Sequence, residues 1–332
     1  MNALNISAPT MGAILDADNQ GLAITALKTA MELDIFEVIE RGNHSAEEIA
    51  HATNCNLRGT TILLNALCTM ELLGKSNNLY WLNDRSETYL VRSGRGYCVP
   101  IYLAWLQARD HFIEFVRTGE PTLNLMAPEA EEMWVSYAAA ERMRLTELVE
   151  LVTERWTSLG MIPLPIRNAS ILDIGSGSGF KSFSLLPGNP DAHITAVDSP
   201  RVLEITREVA ETMGVSHQVS FESGDLLTEI QAESFDMVIF GNLLHYFDLE
   251  TVTSFLCKAH RALKPNGMAL ILSKGVDETR TFDPILLSNI DISNCGPHGE
   301  GYTASEYKRA LITAGFKDVV HLEPSITHGT KK

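Results

Sequence analysis

Ile171-Leu-Asp-Ile-Gly-Ser-Gly-Ser-Gly179 is the stretch of this 332-residue chain that decides its fold. The β-branched and apolar residues at its start predict a buried parallel strand, which opens directly into a glycine-rich turn with a helix beyond it. A second predicted strand, residues 194–197, ends at Asp198, nineteen residues after the last glycine. This strand–helix–strand unit suits a ligand that carries a ribose, because glycines let the backbone approach the ligand and a carboxylate can bind the ribose hydroxyls.

The spacing of the glycines narrows the choice of ligand. Gly175, Gly177 and Gly179 form a G-x-G-x-G pattern, and Phe180 stands where a dinucleotide fingerprint has its third glycine. A pyrophosphate favours a helix N-terminus without acidic neighbours, whereas Asp173 introduces this turn and favours a cationic ligand. The pattern therefore predicts S-adenosyl-L-methionine as the cofactor, rather than NAD.

Strands and helices alternate through the rest of the C-terminal half. Predicted strands at 221–225, 234–240 and 268–272 are accompanied by a helix at 248–263 and a turn at 264–267. This alternation predicts an α/β fold with a doubly wound parallel sheet, whose ligands lie at the carboxyl ends of the strands. The predicted cofactor-binding residues are Asp173, Gly175, Gly177, Gly179, Asp198, Ser199, Asp225, Leu226, Gly241 and Asn242, with Asp225 placed to meet the adenine amine.

Composition and charge argue against several classes of protein. The net charge of −16 argues against nucleic-acid partners, since binding to phosphates depends on clustered Lys and Arg. No apolar run reaches the length of a membrane span, and the N-terminus lacks the basic and apolar regions of a signal peptide. The five cysteines are scattered without a C-x-x-C pair, which indicates reduced thiols and no zinc site. We therefore expect a cytoplasmic protein with neither membrane nor nucleic-acid partners.

The N-terminal part, residues 1–99, has the pattern of three helices and a hairpin. Apolar periodicity predicts helices over 14–40 with a break near 33–34, and Ser45 with Glu48 forms a capping box for a short helix that ends at Ala52. A longer helix is predicted over 57–73, ending at Gly74, before a turn at 76–78 and a strand at 79–83. Such a winged helix often binds DNA, but the third helix is too apolar to read a major groove. We predict a dimerisation domain and a homodimer.

The middle part, residues 100–165, is predicted to be a helical linker that contributes to a substrate pocket before the cofactor domain at 166–332. It is rich in large side chains, and the candidates for a pocket wall are Trp105, His111, Phe112, Phe115, Met126, Met133, Trp134, Tyr137 and Met143. Met133, Trp134 and Tyr137 are the preferred pocket residues, because they open the helix that leads into the cofactor domain, and small-molecule sites concentrate in clefts between domains.

This organisation resembles the small-molecule O-methyltransferases of plant caffeate type and their bacterial antibiotic-pathway relatives, over nearly the whole chain. The resemblance implies that the doubly wound sheet is a seven-stranded Rossmann-like sheet. It also implies that His245 is the catalytic histidine, that Asn242 is its usual asparagine, and that Asp198 and Asp225 bind the ribose and the adenine. Near the last large helix, Thr303 and Glu306 form a capping box.

Three departures from that family concern the acids around the histidine. Glu300 lies one residue from the position of the family's catalytic glutamate, Ser273 replaces a second glutamate, and Tyr246-Phe247 replaces an Asp-Trp pair. Methyl transfer from an activated sulfonium needs alignment of the reactants and exclusion of water, and a phenol or enol also benefits from a base. We therefore predict His245 as general base, with Glu300 or Asp291 as its orienting acid.

The acceptor is expected to be a small aromatic or enolisable secondary metabolite, with O-methylation favoured. Two other reactions stay open: C- or N-methylation, and hydroxylation, decarboxylation or cyclisation by a relative that keeps the cofactor. His298 is a pocket candidate, and a metal-assisted variant for a 2-oxo acid would use His245, His298 and one of Asp291 or Glu300, although no metal is the preferred reading. A winged-helix regulator that senses a metabolite is the remaining alternative.

Overall fold

The computed structural model describes residues 12–162, 164, 167–224, 232–273, 275–281, 284–296, 298–323 and 326–332. The chain divides into two compact units, Met1–Val99 and Pro100–Lys332. Among the described residues, none of the helices has the length and apolar character needed to cross a membrane. The three-part division at 99/100 and 165/166 stays a prediction.

The first unit is helical with one hairpin. Its elements are α1 (Gly12–Glu32), α2 (Ile35–Glu40), α3 (Ala46–Ala52), α4 (Leu57–Thr69), β1 (Leu73–Ser76), β2 (Leu79–Leu82) and α5 (Asp84–Tyr89). The predicted break after α1 is confirmed at Asp34, which has φ 52°. The capping box is confirmed as well, since Ser45 Oγ accepts a hydrogen bond from the Glu48 amide and the Glu48 carboxylate accepts one from the Ser45 amide.

The predicted end of the fourth helix is wrong. Helix α4 ends at Thr69 and not at residue 73, because Glu71 adopts a left-handed φ of 55° that stops the helix. Gly74 is therefore not a helix cap but a residue of β1, opposite Trp81. Strands β1 and β2 pair in an antiparallel hairpin, and Asn77 and Asn78, both at positive φ, make the two-residue turn.

The second unit is a helical segment followed by a sheet with helices on both faces. The helical segment holds α6 (Val99–Asp110), α7 (Phe112–Thr118), α8 (Glu131–Met143) and α9 (Leu145–Ser158). The remaining elements are β3 (Ser170–Ile174), α10 (Phe180–Phe183), β4 (His193–Asp198), α11 (Pro200–Thr212), β5 (Val219–Ser223), β6 (Phe235–Gly241), α12 (Leu249–Ala262), β7 (Leu263–Leu272), α13 (Asn289–Cys295), α14 (Ala304–Thr313), β8 (Lys317–Glu323) and β9 (Ile326–Thr330).

The sheet has seven strands in the order β5-β4-β3-β6-β7-β9-β8, with the first five parallel and β9 antiparallel to both of its neighbours. This confirms the predicted doubly wound sheet. Chain order reverses between β3 and β6, and in such sheets a ligand crevice opens at the carboxyl ends of the two strands that flank the reversal. The predicted turn at 264–267 lies inside β7, where the register against β6 shifts and Asn266 has φ 64°.

Alternating residues of the central strands bury two apolar layers. Ile171 packs into the layer that contains Trp156 of α9, whereas Leu172 packs into the layer that contains Leu256 of α12. Because both faces are covered, Ile171 and Leu172 are both apolar although they point to opposite faces, and no strict alternation of polar and apolar residues marks β3 in the sequence. The two layers hold the carboxyl ends of β3, β4 and β6 in fixed register, and these ends carry the site.

Candidate active site

The turn after β3 has a conformation that depends on its glycines. Gly175, Gly177 and Gly179 have φ values of 66°, 55° and 78°, a region that residues with a side chain rarely adopt. A Cβ on Gly179 would lie 2.4 Å from the ring of Phe183. The amides of Gly175 and Ser176 donate to the carbonyl of Val197, which ties the turn to the end of β4.

Asp198 stands at the tip of β4 and is fixed by the same turn. Its two carboxylate oxygens accept hydrogen bonds from the amides of Gly177 and Ser199, each at 2.8 Å. Burial raises the pKa of Asp198 above its usual value, while these two amide donors act in the opposite direction. A carboxylate oxygen can accept more than one hydrogen bond, so the group keeps acceptor capacity for a ligand hydroxyl.

A cavity of about 310 Å³ opens at this edge of the sheet. Ser176 Oγ and Ser199 Oγ in its wall are buried and have no hydrogen-bond partner within the described part of the chain. Orphaned hydroxyls beside a carboxylate fit a polar, ribose-bearing ligand, because the ligand can complete their hydrogen bonds. The predicted residues that line the cavity are Gly175, Gly177, Asp198, Ser199, Gly241, Asn242, Trp134 and Tyr137.

Two predicted cofactor residues, Asp173 and Gly179, do not line the cavity. Asp173 is 3% exposed, and it accepts a hydrogen bond from Ser182 Oγ at 2.5 Å behind the turn. Burial raises the pKa of Asp173 to about 6. Asp173 and Gly179 therefore support the shape of the turn. Asp225 and Leu226 lie outside the described residues, and their cofactor role stays a prediction.

Substitution of Asp173 tests that supporting role through its pH dependence. Because its pKa is higher in the folded state than the ordinary 3.8, the folded state holds the proton more tightly. The stability this provides is complete below about pH 4 and is lost as the pH rises through 6. We expect the unfolding free energy of the wild type, minus that of Asp173→Asn, to fall by up to about 3 kcal/mol over this range. The measurement is urea unfolding of both proteins across this pH range, and an unchanged difference between their unfolding free energies would contradict the prediction. Asp191→Asn, at an exposed turn, is the control.

His245 lies in a short turn just after β6 and is 2% exposed. Its Nδ1 lies 3.0 Å from Ser273 Oγ, which also accepts a hydrogen bond from the hydroxyl of Tyr307 at 2.9 Å. A Cβ on Gly299 would lie 2.1 Å from the His245 carbonyl oxygen, so only glycine permits this close approach of the two backbones. Leu243 and Tyr246 line the cavity and His245 does not, although its ring lies against that of Tyr246, with 4.5 Å between the centroids. Because His245 is 2% exposed, an acceptor reaches the imidazole only when neighbouring side chains move.

The two predicted orienting acids have arginine partners. Asp291 accepts a bidentate hydrogen bond from Arg109 at 2.7 and 2.5 Å, and Glu300 lies 3.8 Å from Arg280. The described contact that orients Nδ1 of His245 is instead with the neutral Ser273. The orienting role predicted for Asp291 or Glu300 is thus not supported by the contacts they make.

His298 and Met133 are not among the cavity-lining residues. His298 is exposed, and its backbone forms a bridge with Phe247. Within the described ranges, no three His, Cys, Asp or Glu side chains are grouped so that they could hold a metal ion. The metal-assisted alternative therefore has no ligand set in this part of the chain.

Aromatic side chains form one wall of the cavity. The ring of Trp134 meets those of Tyr246 and Tyr137 edge-on, at centroid distances of 5.4 and 6.2 Å. The indole nitrogen of Trp134 donates to the carbonyl of Leu125 at 2.6 Å, which fixes the ring. Burial raises the pKa of both tyrosines well above its usual value, so both stay neutral at physiological pH.

Other lining residues escaped the site prediction. They are Leu125, Met126, Ala127, Pro128, Glu131, Ala138, Glu141, Ser176, Lys181, Val202, Leu243 and Tyr246. Two of these carry a weaker sequence signal: Met126 is in the wider set of candidates for the pocket wall, and Tyr246 lies where the sequence departs from the family pattern. The helical period contained a signal for part of this set, since Glu131, Ala138 and Glu141 share one face of α8 with Trp134. For the residues before α8 no local pattern was available, because their position depends on tertiary packing.

The sheet order, the glycine turn and the acid at the tip of β4 define a class I methyltransferase fold with a site for S-adenosylmethionine. Residues 171–267 match the family model of a methyltransferase domain, and residues 19–92 match that of an O-methyltransferase dimerisation domain. The chain belongs to the S-adenosylmethionine-dependent methyltransferases that carry this dimerisation domain, and it is an enzyme that uses this cofactor.

Similar proteins of known name agree with this assignment. The chain is 26% identical over 306 residues to the tetracenomycin polyketide synthesis 8-O-methyl transferase TcmO of Streptomyces glaucescens, covering 89% of this chain and 88% of TcmO. It is 26% identical over 316 residues to 3-hydroxy-5-methyl-1-naphthoate 3-O-methyltransferase of Streptomyces sahachiroi, covering 88% and 86%. The crystal structure of human N-acetylserotonin methyltransferase with S-adenosylmethionine has the same fold, with a TM-score of 0.65, 20% identity and coverage of 100% and 99%.

Proposed function

We propose that this methyltransferase methylates a hydroxyl group on a small aromatic acceptor, with His245 as the general base. The observation that carries the proposal is the position of His245, which follows the carboxyl end of β6, is held by Ser273, and contacts the ring of Tyr246 in the aromatic wall of the cofactor cavity. The Streptomyces relatives, which are named for O-methylation of a polyketide and of a naphthoate, support an aromatic hydroxyl as the methylated group.

The residues of the site divide the work. The cofactor supplies a methyl group that is already activated by its positively charged sulfur. Asp198 binds the ribose hydroxyls, and the free hydroxyls of Ser176 and Ser199 complete the polar contacts. Trp134 and Tyr246 cover the cavity with apolar surface and exclude water, which favours in-line transfer.

His245 takes the proton from the acceptor hydroxyl as the new bond to carbon forms. Its Nδ1 contact to Ser273, which is itself held by Tyr307, keeps the ring in one orientation. The ring of Tyr246 lies with its centroid 4.5 Å from that of His245 and shields the imidazole from solvent until an acceptor displaces it.

The acceptor atom is tested with paired compounds that share one ring system. Enzyme and methyl-labelled S-adenosylmethionine are incubated with 1-naphthol and, separately, with 1-aminonaphthalene, and the position of the label is read by mass spectrometry and NMR. We expect label on oxygen of the naphthol. Label on the amine alone would favour N-methylation, and label on ring carbon would favour C-methylation. Consumption of the cofactor without methylated product would indicate a relative that keeps the cofactor for other chemistry.

We further propose that the enzyme is a homodimer formed through its first unit. The dimerisation-domain match supports this, and so do the large apolar side chains that α1 leaves exposed, Ile14, Leu15, Leu22 and Ile24, at 64, 52, 63 and 44%. Exposed apolar surface of this kind is typical of an interaction site, and C2 dimers are the commonest closed assemblies. The cytoplasmic location inferred from the cysteines remains a prediction.

Light scattering tests the dimer. The wild type is expected at twice the mass of the chain at micromolar concentration, and Leu22→Asp is expected to shift it toward monomer, because a buried unpaired carboxylate opposes association. Ile312→Asp places the same charge at an exposed apolar position of α14 and serves as the control. A wild type that is monomeric throughout, or a dimer unaffected by Leu22→Asp, would contradict the proposed interface.

A further inference from the structure

Two opposite charges face each other in the wall of the cofactor cavity. Glu141 of α8 and Lys181 of α10 both line it, with side chains that are only 15% and 23% exposed. Lys181 Nζ lies 3.8 Å from Glu141 Oε1, which is an ion pair by distance but longer than the roughly 3.2 Å limit of an N–H···O hydrogen bond. The two charges therefore attract each other without satisfying each other's hydrogen-bonding capacity.

Each of the two side chains is held in place by neighbours. Glu141 Oε2 accepts a hydrogen bond from Ser178 Oγ at 2.7 Å. Lys181 Nζ lies 4.3 Å from the centroid of the Phe180 ring, and the Lys181 carbonyl accepts a hydrogen bond from Trp156. Within the described residues, the Lys181 ammonium donates no hydrogen bond to a protein atom. Its three donors are thus available to a ligand.

The position of the pair relates it to the cofactor. Asp198, which binds the ribose, accepts a hydrogen bond from the amide of Gly177. Glu141 Oε2 lies 4.0 Å from the place of a Cβ on the same Gly177, and Lys181 Cδ lies 3.4 Å from the place of a Cβ on Gly241. The pair therefore lies along the crevice between the carboxyl ends of β3 and β6, next to the proposed ribose site.

Charges in a cavity that is lined largely by apolar side chains are costly unless they are paired and hydrogen-bonded. A ligand that carries an ammonium and a carboxylate on one carbon would satisfy both side chains at once, since charge-assisted hydrogen bonds are the strong ones. S-adenosylmethionine ends in such a group, a short chain of single bonds away from its ribose.

We propose that Glu141 and Lys181 bind the amino-acid end of the cofactor, Glu141 the α-ammonium and Lys181 the α-carboxylate. The pair thereby distinguishes the intact cofactor from nucleosides that lack this end. Discrimination follows because a neutral or truncated ligand leaves the Lys181 ammonium without a hydrogen-bond acceptor and brings no cation that could hydrogen-bond to Glu141, which keeps its contact with Ser178.

Three thioether ligands separate the two roles by calorimetry. S-adenosylhomocysteine carries both charges, its decarboxylated analogue S-adenosyl-3-thiopropylamine carries only the ammonium, and 5′-methylthioadenosine carries neither. Glu141→Gln should weaken the binding of S-adenosylhomocysteine and of S-adenosyl-3-thiopropylamine by roughly tenfold to hundredfold, the range for loss of a charged hydrogen bond. The affinity for 5′-methylthioadenosine should stay unchanged. Gln keeps an oxygen that can accept from Ser178.

Lys181→Met should weaken the binding of S-adenosylhomocysteine by the same factor and should not weaken the binding of the other two ligands. The affinity of Lys181→Arg for S-adenosylhomocysteine should stay within a few fold of the wild-type value. The controls are Glu150→Gln and Lys308→Met, which remove the same charges at exposed positions of α9 and α14. Unchanged binding of S-adenosylhomocysteine in either Glu141→Gln or Lys181→Met would overturn the proposal for the pair. Equal weakening of S-adenosylhomocysteine and 5′-methylthioadenosine would overturn it too, because it would show a deformed ribose site.

Lys181 also lines a second cavity of about 280 Å³, together with Asn242 and Ser273. If Lys181 served a ligand there, Lys181→Met would leave S-adenosylhomocysteine binding intact, which is one of the results that overturn the proposal. None of these measurements requires an acceptor, so they succeed or fail independently of the O-methylation proposed above.

Discussion

Replacing His245 by Ala is expected to lower kcat by about 10²–10⁴-fold, the usual contribution of a general base. Binding of S-adenosylhomocysteine should stay close to that of the wild type, because His245 is not among the residues that line the cofactor cavity. The loss should grow with the pKa of the acceptor hydroxyl, since a weakly acidic hydroxyl depends most on proton removal. Steady-state kinetics on the acceptor identified with the paired compounds measures the rate, and calorimetry measures the binding.

Two variants make this result specific. His217→Ala removes an exposed histidine from a short turn and should leave both quantities unchanged. Ser273→Ala removes the described partner of Nδ1, so it should lower kcat by less than His245→Ala does. Wild-type turnover by His245→Ala would remove the imidazole from the mechanism and would favour an acceptor, such as a neutral amine, that attacks without a base.

Replacing Asp198 by Ala is expected to weaken S-adenosylhomocysteine by about 1.5–3 kcal/mol, which is roughly tenfold to more than hundredfold. In the proposed site the carboxylate binds the ribose. It also accepts hydrogen bonds from the amides of Gly177 and Ser199, so its loss leaves two buried donors unpaired as well. Because the ribose is common to all the nucleoside ligands, the binding of 5′-methylthioadenosine to Asp198→Ala should weaken by a similar factor. This sets Asp198→Ala apart from the Glu141 and Lys181 variants.

Asp198→Asn separates the ribose contact from the hydrogen bonds that hold the glycine turn. The asparagine keeps one accepting oxygen, so this variant should bind the ribose poorly but keep more of the hydrogen bonding to the turn than Asp198→Ala does. Thermal unfolding without ligand reports the state of the turn, and calorimetry reports the ribose contact. Asp191→Ala, at an exposed turn, is the matched control. Equal affinity of Asp198→Ala and wild type would show that the ribose is bound elsewhere.

Local features of the chain could be predicted where the physical cause is local. The glycines after β3 need positive φ, and the apolar strand before them must be covered on both faces, so the turn and the parallel sheet follow from a few residues. The capping boxes at Ser45 and Thr303 follow for the same reason, because each closes hydrogen bonds within three residues. The end of α4 could not be read in this way, since Glu71 takes a conformation that a glycine usually marks.

The sequence by itself thus determined the class of fold, the cofactor and the positions of Asp198 and His245, because these depend on strand ends that adjoin their own motifs. Only the tertiary structure decided which side chains meet across the site. Asp291 pairs with Arg109, 182 residues away along the chain, and Ser273 reaches His245 because β6 and β7 are neighbours. The pairing of Glu141 with Lys181 likewise depends on how α8 packs over the glycine turn. Which side chains become partners depends on the distances between helices and strands in the folded protein. The spacing of residues along the sequence does not contain those distances.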